Sequence, residues 1–155
     1  ELMVQLKEKG VYQVPDGLLE KIQSVFWSGC CDDDATKAAI GRLWKEHRYL
    51  ADTHTAVAWQ VAQDYKAACA DHNPVVVLST ASPYKFPAAV LEGLGEGTDG
   101  DGFDAMERLH ALTGVPVPAN LQGLRQREVL HRDVIDREDM LSYVLEKAGE
   151  AVWSK

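Results

Sequence analysis

The chain has 155 residues, 46% of them hydrophobic and 26% charged, with a formal net charge of -8. That length fits one domain with a core of its own, and the composition is that of a folded protein rather than a disordered one. The acidic balance argues against nucleic acid or an anionic membrane surface as partner, because either asks for a basic face.

The first residues, Glu1-Leu2-Met3, already read as helix, and that helix stops at Gly10, a natural C-cap. A helix entered in its middle makes the chain read as a fragment of a longer polypeptide, although processing or a cloning boundary would look the same. "VYQVP" (11–15) is a short strand candidate ended by Pro15, and Leu18, Ile22 and Val25 then fall on one helical face. Asp32, Asp33 and Asp34 precede a helix in which Ile40, Leu43, Trp44 and His47 have i, i+3, i+4, i+7 spacing. Carboxylates favour the positive end of a helix, and no His or Glu at ligand spacing accompanies them, so they read as caps rather than a metal site.

Thr55 is the predicted cap of a helix reaching about Ala68, with Ala58, Val61, Ala62 and Tyr65 on one stripe. Val75–Leu78 is then an apolar strand of the kind found in parallel sheets covered on both faces. Ser82-Pro83 combines an N-cap with an N1 proline and opens a helix to about Leu94. Ser82 thereby has a structural task, whereas Thr80 has none. "GEGTDGDG" (95–102) is a loop. Its Asp99, Asp101 and Asp104 do not make a calcium loop, since the twelfth position is His110 and the required sixth-position glycine is missing. Helices follow over Phe103–Leu112, from about Ala119, and over Asp136–Lys147. "VPVP" (115–118) separates the first two. Asp136 with Asp139 resembles a capping box, and Met140, Tyr143 and Val144 would form the last helix's buried face.

The expected fold class is α/β: helix-rich, with few parallel strands flanked by helices. Two or three strands are too few for a self-sufficient sheet of this length, which again suggests part of a larger domain. No apolar run approaches the ~20 residues of a membrane span. Three cysteines, Cys30, Cys31 and Cys69, are a poor disulfide framework, so a cytoplasmic location is expected. His47, His54, His72, His110 and His131 are scattered, and no catalytic or metal-binding constellation emerges. In open α/β sheets ligands sit beyond the carboxyl ends of strands, which makes Thr80 the best candidate for a small-molecule contact. The competing reading is a plain strand-to-helix connection.

Two ordered motifs narrow this. "ADTHTAV" (51–57), followed after a helix by "PVVVLSTASPYKFPAAV" (74–90), resembles the carboxyl-terminal part of the long form of the threonine synthase family. These are pyridoxal-phosphate enzymes of the tryptophan-synthase-β-like fold type II; the resemblance spans nearly the whole chain and implies that residues 1–155 are the carboxyl-terminal portion of the catalytic domain. Thr53 departs from the family pattern, which usually has proline there. The resemblance implies conversion of O-phospho-L-homoserine and water to L-threonine and phosphate, with Thr80 meeting the pyridine nitrogen of pyridoxal 5'-phosphate. The lysine that carries the cofactor and the loop that holds its phosphate belong to a Ser-Phe-Lys-Asp region and a glycine-bearing region that these residues do not contain. The implied partners are therefore the amino-terminal remainder of the same enzyme and the substrate, and the isolated chain is expected to be inactive. Lys85 reads as ordering the helix start or contacting that remainder. His54 reads as a core histidine in preference to one supporting the site. The alternative is a stand-alone, non-catalytic α/β domain that binds a protein partner.

Overall fold

A computed structural model describes residues 1–153, and side chains through residue 149. Among the described residues the chain forms seven α-helices and three 3₁₀ turns, and no strand. The helices are α1 (Leu2–Lys9), α2 (Asp16–Gln23), α3 (Asp33–His47), α4 (Thr53–Cys69), α5 (Pro87–Gly93), α6 (Gly102–Thr113) and α7 (Met140–Trp153). Residues up to Gln122 form one compact unit, and a second unit begins at Gly123.

The core of the first unit lies between α3, α4, α5 and α6. Ile40, Val90, Leu91 and Leu109 are fully buried there, with Leu43, Leu50, Ala56 and Ala105 around them. Side chains of that size each contribute about 1.5–3 kcal/mol on burial. The α3–α5 contact is closer than side chains permit. A Cβ on Gly41 would stand 2.5 Å from the Gly93 carbonyl oxygen, and one on Gly93 would stand 2.9 Å from that of Lys37. The two backbones therefore meet directly, and Lys37 reaches Glu92 at 2.6 Å beside the crossing. That hydrogen bond raises the Lys37 pKa.

Helix ends follow the local chemistry. Gly10 closes α1 with φ of 71°, and the Asp32 carboxylate opens α3 by accepting from the Ala35 N–H at 2.8 Å. Asp101 and Asp104 cap α6 reciprocally, so this acidic loop is engaged in a capping box. Tyr84 is buried in the connection before α5. Its hydroxyl donates to the Val115 carbonyl, which His110 Nδ1 also approaches at 2.7 Å. "VPVP" is thereby held against the core from two sides.

Several expectations need correction. Neither residues 11–15 nor Val75–Leu78 is a strand. A strand exists only as one side of a hydrogen-bonded ladder, and among the described residues no second segment pairs with either. Residues 75–78 keep the alternation of an extended chain nonetheless: Val76 and Leu78 are 82% and 74% exposed, while Val75 and Val77 are less so. The α4 stripe Ala58–Val61–Ala62–Tyr65 faces Val25 and Trp27 across a shallow groove, and Thr55 and Ala56 face the core instead. Trp27 meets Tyr65 edge-on at 5.6 Å. Val25 itself lies beyond the end of α2. Ser82 caps a 3₁₀ turn (Pro83–Lys85), and α5 begins only at Pro87, because Phe86 leaves helical geometry with ψ of 58°. The helix expected from about Ala119 is a run of turns followed by a 3₁₀ turn, Leu124–Gln126. In the second unit Asp136 makes no side-chain cap, and α7 follows a 3₁₀ turn, Arg137–Asp139. Met140 and Val144 are exposed there rather than buried. Tyr143 donates its hydroxyl to Asp133 at 2.6 Å, which raises the Tyr143 pKa.

Candidate functional site

The site grows from the start of α4. Asp52, not Thr55, is the cap: its carboxylate accepts from the His54 N–H at 2.9 Å and the Thr55 N–H at 3.3 Å. The Asp52 side chain is fully buried, and it also accepts the Thr55 hydroxyl. Sequence pattern alone does not separate the two, since Asp and Thr both cap helices well. Burial decides in favour of the carboxylate, which needs several donors when removed from water.

Thr55 Oγ1 is also 3.2 Å from Ser79 Oγ, and the Tyr49 hydroxyl donates to Ser79 Oγ at 3.0 Å. As a carboxylate Asp52 only accepts, and Thr55 has a single hydroxyl hydrogen to give. That hydrogen goes to Asp52, so Ser79 supplies the hydrogen of the Ser79–Thr55 bond. The result is a directed chain: Tyr49 to Ser79, Ser79 to Thr55, Thr55 to Asp52. Asp52 and Tyr49 were not singled out from sequence, and Ser79 only as one of the hydroxyls that end the apolar segment. The available signal was Asp three residues before Thr at a helix start, ahead of a segment ending in Ser-Thr.

Thr80 follows directly. It is exposed and makes no hydrogen bond among the described residues. Ser82 accepts from the Tyr84 N–H at 3.2 Å, the structural role expected of it. Lys85 donates its N–H to the Ser82 carbonyl at 3.0 Å, and its ammonium lies 5.4 Å from the Phe86 ring centre. His54 is not a core histidine: its side chain is 61% exposed, 3.4 Å from Asp52 Oδ1 and stacked obliquely near Phe86 at 5.6 Å. His54, Phe86, Lys37, Glu92, Asp33 and Cys31 border an open groove of about 640 Å³.

The residues present fit one end of a pyridoxal phosphate. A pyridine nitrogen asks for one polar group, and Thr80 offers a neutral, unengaged hydroxyl. The cofactor's phosphate asks for a cradle of backbone N–H groups, and its aldehyde asks for a lysine; neither is assembled beside Thr80 among the described residues.

Comparison with known proteins bears on this arrangement. Residues 55–143 match the family model for the threonine synthase C-terminal domain, more than half of the chain. The chain belongs to the threonine synthase family. It is 35% identical over 94 residues to threonine synthase-like 1 of Macaca fascicularis, a stretch covering 61% of this chain and 12% of that protein. It is 31% identical over 97 residues to threonine synthase of Pseudomonas aeruginosa, covering 62% of this chain and 20% of the enzyme. A crystal structure of PLP-bound threonine synthase from Brucella melitensis superposes with a TM-score of 0.57 at 33% identity, over 68% of this chain and 23% of that one. The chain thus corresponds to the carboxyl-terminal portion of a threonine synthase-like PLP enzyme, and to a small share of each relative's length.

Proposed function

We propose that this chain supplies the carboxyl-terminal part of a threonine synthase that converts O-phospho-L-homoserine and water to L-threonine and phosphate. The observation that carries the reading is the unengaged Thr80 hydroxyl, inside the matched family segment and directly after a tethered Ser79. When bound, the cofactor supplies an electron sink for the chemistry at the substrate carbons. Thr80 would meet its ring nitrogen with a neutral group, which does not enforce ring protonation as a carboxylate would. The partners under this reading are the amino-terminal remainder of the enzyme, which brings the cofactor's lysine and phosphate loop, and the substrate. The cytoplasm is the proposed location.

The test is steady-state kinetics of the complete enzyme that carries this chain, with the cofactor's absorption spectrum. Thr80→Val keeps the shape and removes the polar contact. Leaving a buried partner unsatisfied costs roughly 1–3 kcal/mol, equivalent to a rate loss from several-fold to about a hundredfold. Thr80→Asp is expected to shift the spectrum toward a protonated ring. The 155-residue chain alone is expected to release no phosphate from O-phosphohomoserine. Turnover by that chain, or a Thr80→Val enzyme with unchanged rate and spectrum, would overturn the assignment.

A further inference from the structure

We infer that Ser79 is a positioning residue for Thr80, held by the Tyr49–Ser79–Thr55–Asp52 hydroxyl chain; this rests on the reading of Thr80 as the ring-nitrogen partner. Three observations carry it. Residues 74–81 form no ladder, and Ser79 Oγ is the only atom of that segment to make a hydrogen bond among the described residues. Its two partners are anchored differently. Tyr49 follows Arg48, a left-handed residue that closes α3, and its N–H donates to the Leu43 carbonyl at 3.3 Å. Thr55 is buried in the first turn of α4 and tied to a buried carboxylate. The tether therefore joins the segment to the rigid part of the unit at two helix boundaries.

The third observation is the alternation of the segment. Val75 and Val77 are its more covered residues and Val76 and Leu78 its exposed ones, so successive side chains take opposite faces. By that alternation Ser79 groups with Val75 and Val77, and Thr80 with Val76 and Leu78; Ser79 Oγ is the atom that reaches Thr55 at the start of α4. Fixing the Ser79 hydroxyl on one face thus fixes the Thr80 hydroxyl on the opposite one. A one-residue slip would exchange the two hydroxyls, and the tether opposes that slip. Asp52 gives the chain its direction, since an acceptor-only terminus leaves each hydroxyl one arrangement. Ser79 acts on the cofactor only through its neighbour.

The experiment measures the dissociation constant of pyridoxal phosphate by absorbance titration of the cofactor-depleted complete enzyme. Ser79→Ala is expected to weaken binding by about three- to tenfold, the size of one net hydrogen bond, with Ser79→Thr restoring it. On a Thr80→Val background, Ser79→Ala should add less than about twofold, because interacting neighbours are not additive. Tyr49→Phe, at a partly exposed ring, should act in the same direction more weakly, and it covers the case in which Ser79→Ala does not fold. A Ser79→Ala loss that persists in full on the Thr80→Val background overturns this inference and leaves the reading of Thr80 standing. So does unchanged binding in Ser79→Ala when Thr80→Val weakens it. Unchanged binding in Thr80→Val overturns the reading of Thr80 and this inference with it.

Discussion

Asp52 and Ser82 each cap a turn, from different surroundings. Asp52 is fully buried and accepts from two backbone N–H groups and the Thr55 hydroxyl, whereas Ser82 is half-buried and accepts from one N–H. Removing Asp52 takes away a cap for two backbone N–H groups and the acceptor of the Thr55 hydroxyl, so Asp52→Ala should cost roughly 2–4 kcal/mol. Ser82→Ala should cost about 1 kcal/mol. Urea unfolding of the two variants checks the order, and equal costs would contradict it. Ser82 was legible in the sequence because a proline follows it and only a few turn geometries remain. Asp52 was not, because its worth depends on burial, which residues far along the chain decide. Thr80 lay between these cases: it was singled out by a strand-end rule, yet the segment before it is not a strand among the described residues, and its unengaged hydroxyl emerged only from the structure.

At the scale of elements, the α3–α5 crossing depends on Gly41 and Gly93. Glycine inside a helix is ordinarily a weakness, worth about 1 kcal/mol relative to alanine. Here a methyl group on Gly41 would drive into a backbone carbonyl, which has no rotamer to yield. Gly41→Ala should therefore destabilise by about 1–3 kcal/mol despite the gain in helix propensity. Gly17→Ala in α2, where nothing lies within 4 Å, should be neutral or stabilising by up to about 1 kcal/mol. Thermal unfolding compares them, and a stabilised Gly41→Ala would show that the helices have room to part. Neither glycine stands out in sequence, since close approach is a property of two elements at once. Helix existence was more readable than helix ends: α1, α3, α4 and α6 follow their periodicity, while α5 and α7 start later than their caps suggest. The two expected strands failed for a different reason. Val75–Leu78 has the composition and the alternation of a strand, and what it lacks among the described residues is a partner.

For the molecule as a whole, that lack leaves apolar surface in water. Val76 and Leu78 stand exposed on a segment whose backbone groups make no hydrogen bonds among the described residues, and Val25 and Phe26 add exposed surface elsewhere in the unit. An unpaired extended segment with apolar side chains is a template for association. The net charge of -8 opposes self-association, but salt screens repulsion beyond about 10 Å at 0.1 M ionic strength. The 155-residue chain should therefore run as monomer at low salt and associate as salt is raised. Light scattering across a salt series, with a dye for apolar surface, checks this. A monomer that stays dye-negative throughout would count against it. The amphipathic helices were legible because each carries its own period. Which faces remain uncovered was not, because that depends on what the chain meets.

The carbonyl of Val115 has a consequence for the chemistry of His110. It receives the Tyr84 hydroxyl and faces His110 Nδ1 at 2.7 Å, and a carbonyl oxygen has no hydrogen to offer. Nδ1 must therefore carry one, so the neutral imidazole is held as the Nδ1–H tautomer, with Nε2 left as a lone-pair acceptor. Nitrogen-15 shifts of the neutral ring report this directly, and a protonated Nε2 would mean that the bond to Val115 is not made in solution. The His110 side chain would then carry a fixed electronic asymmetry, imposed by a loop of two valines and two prolines.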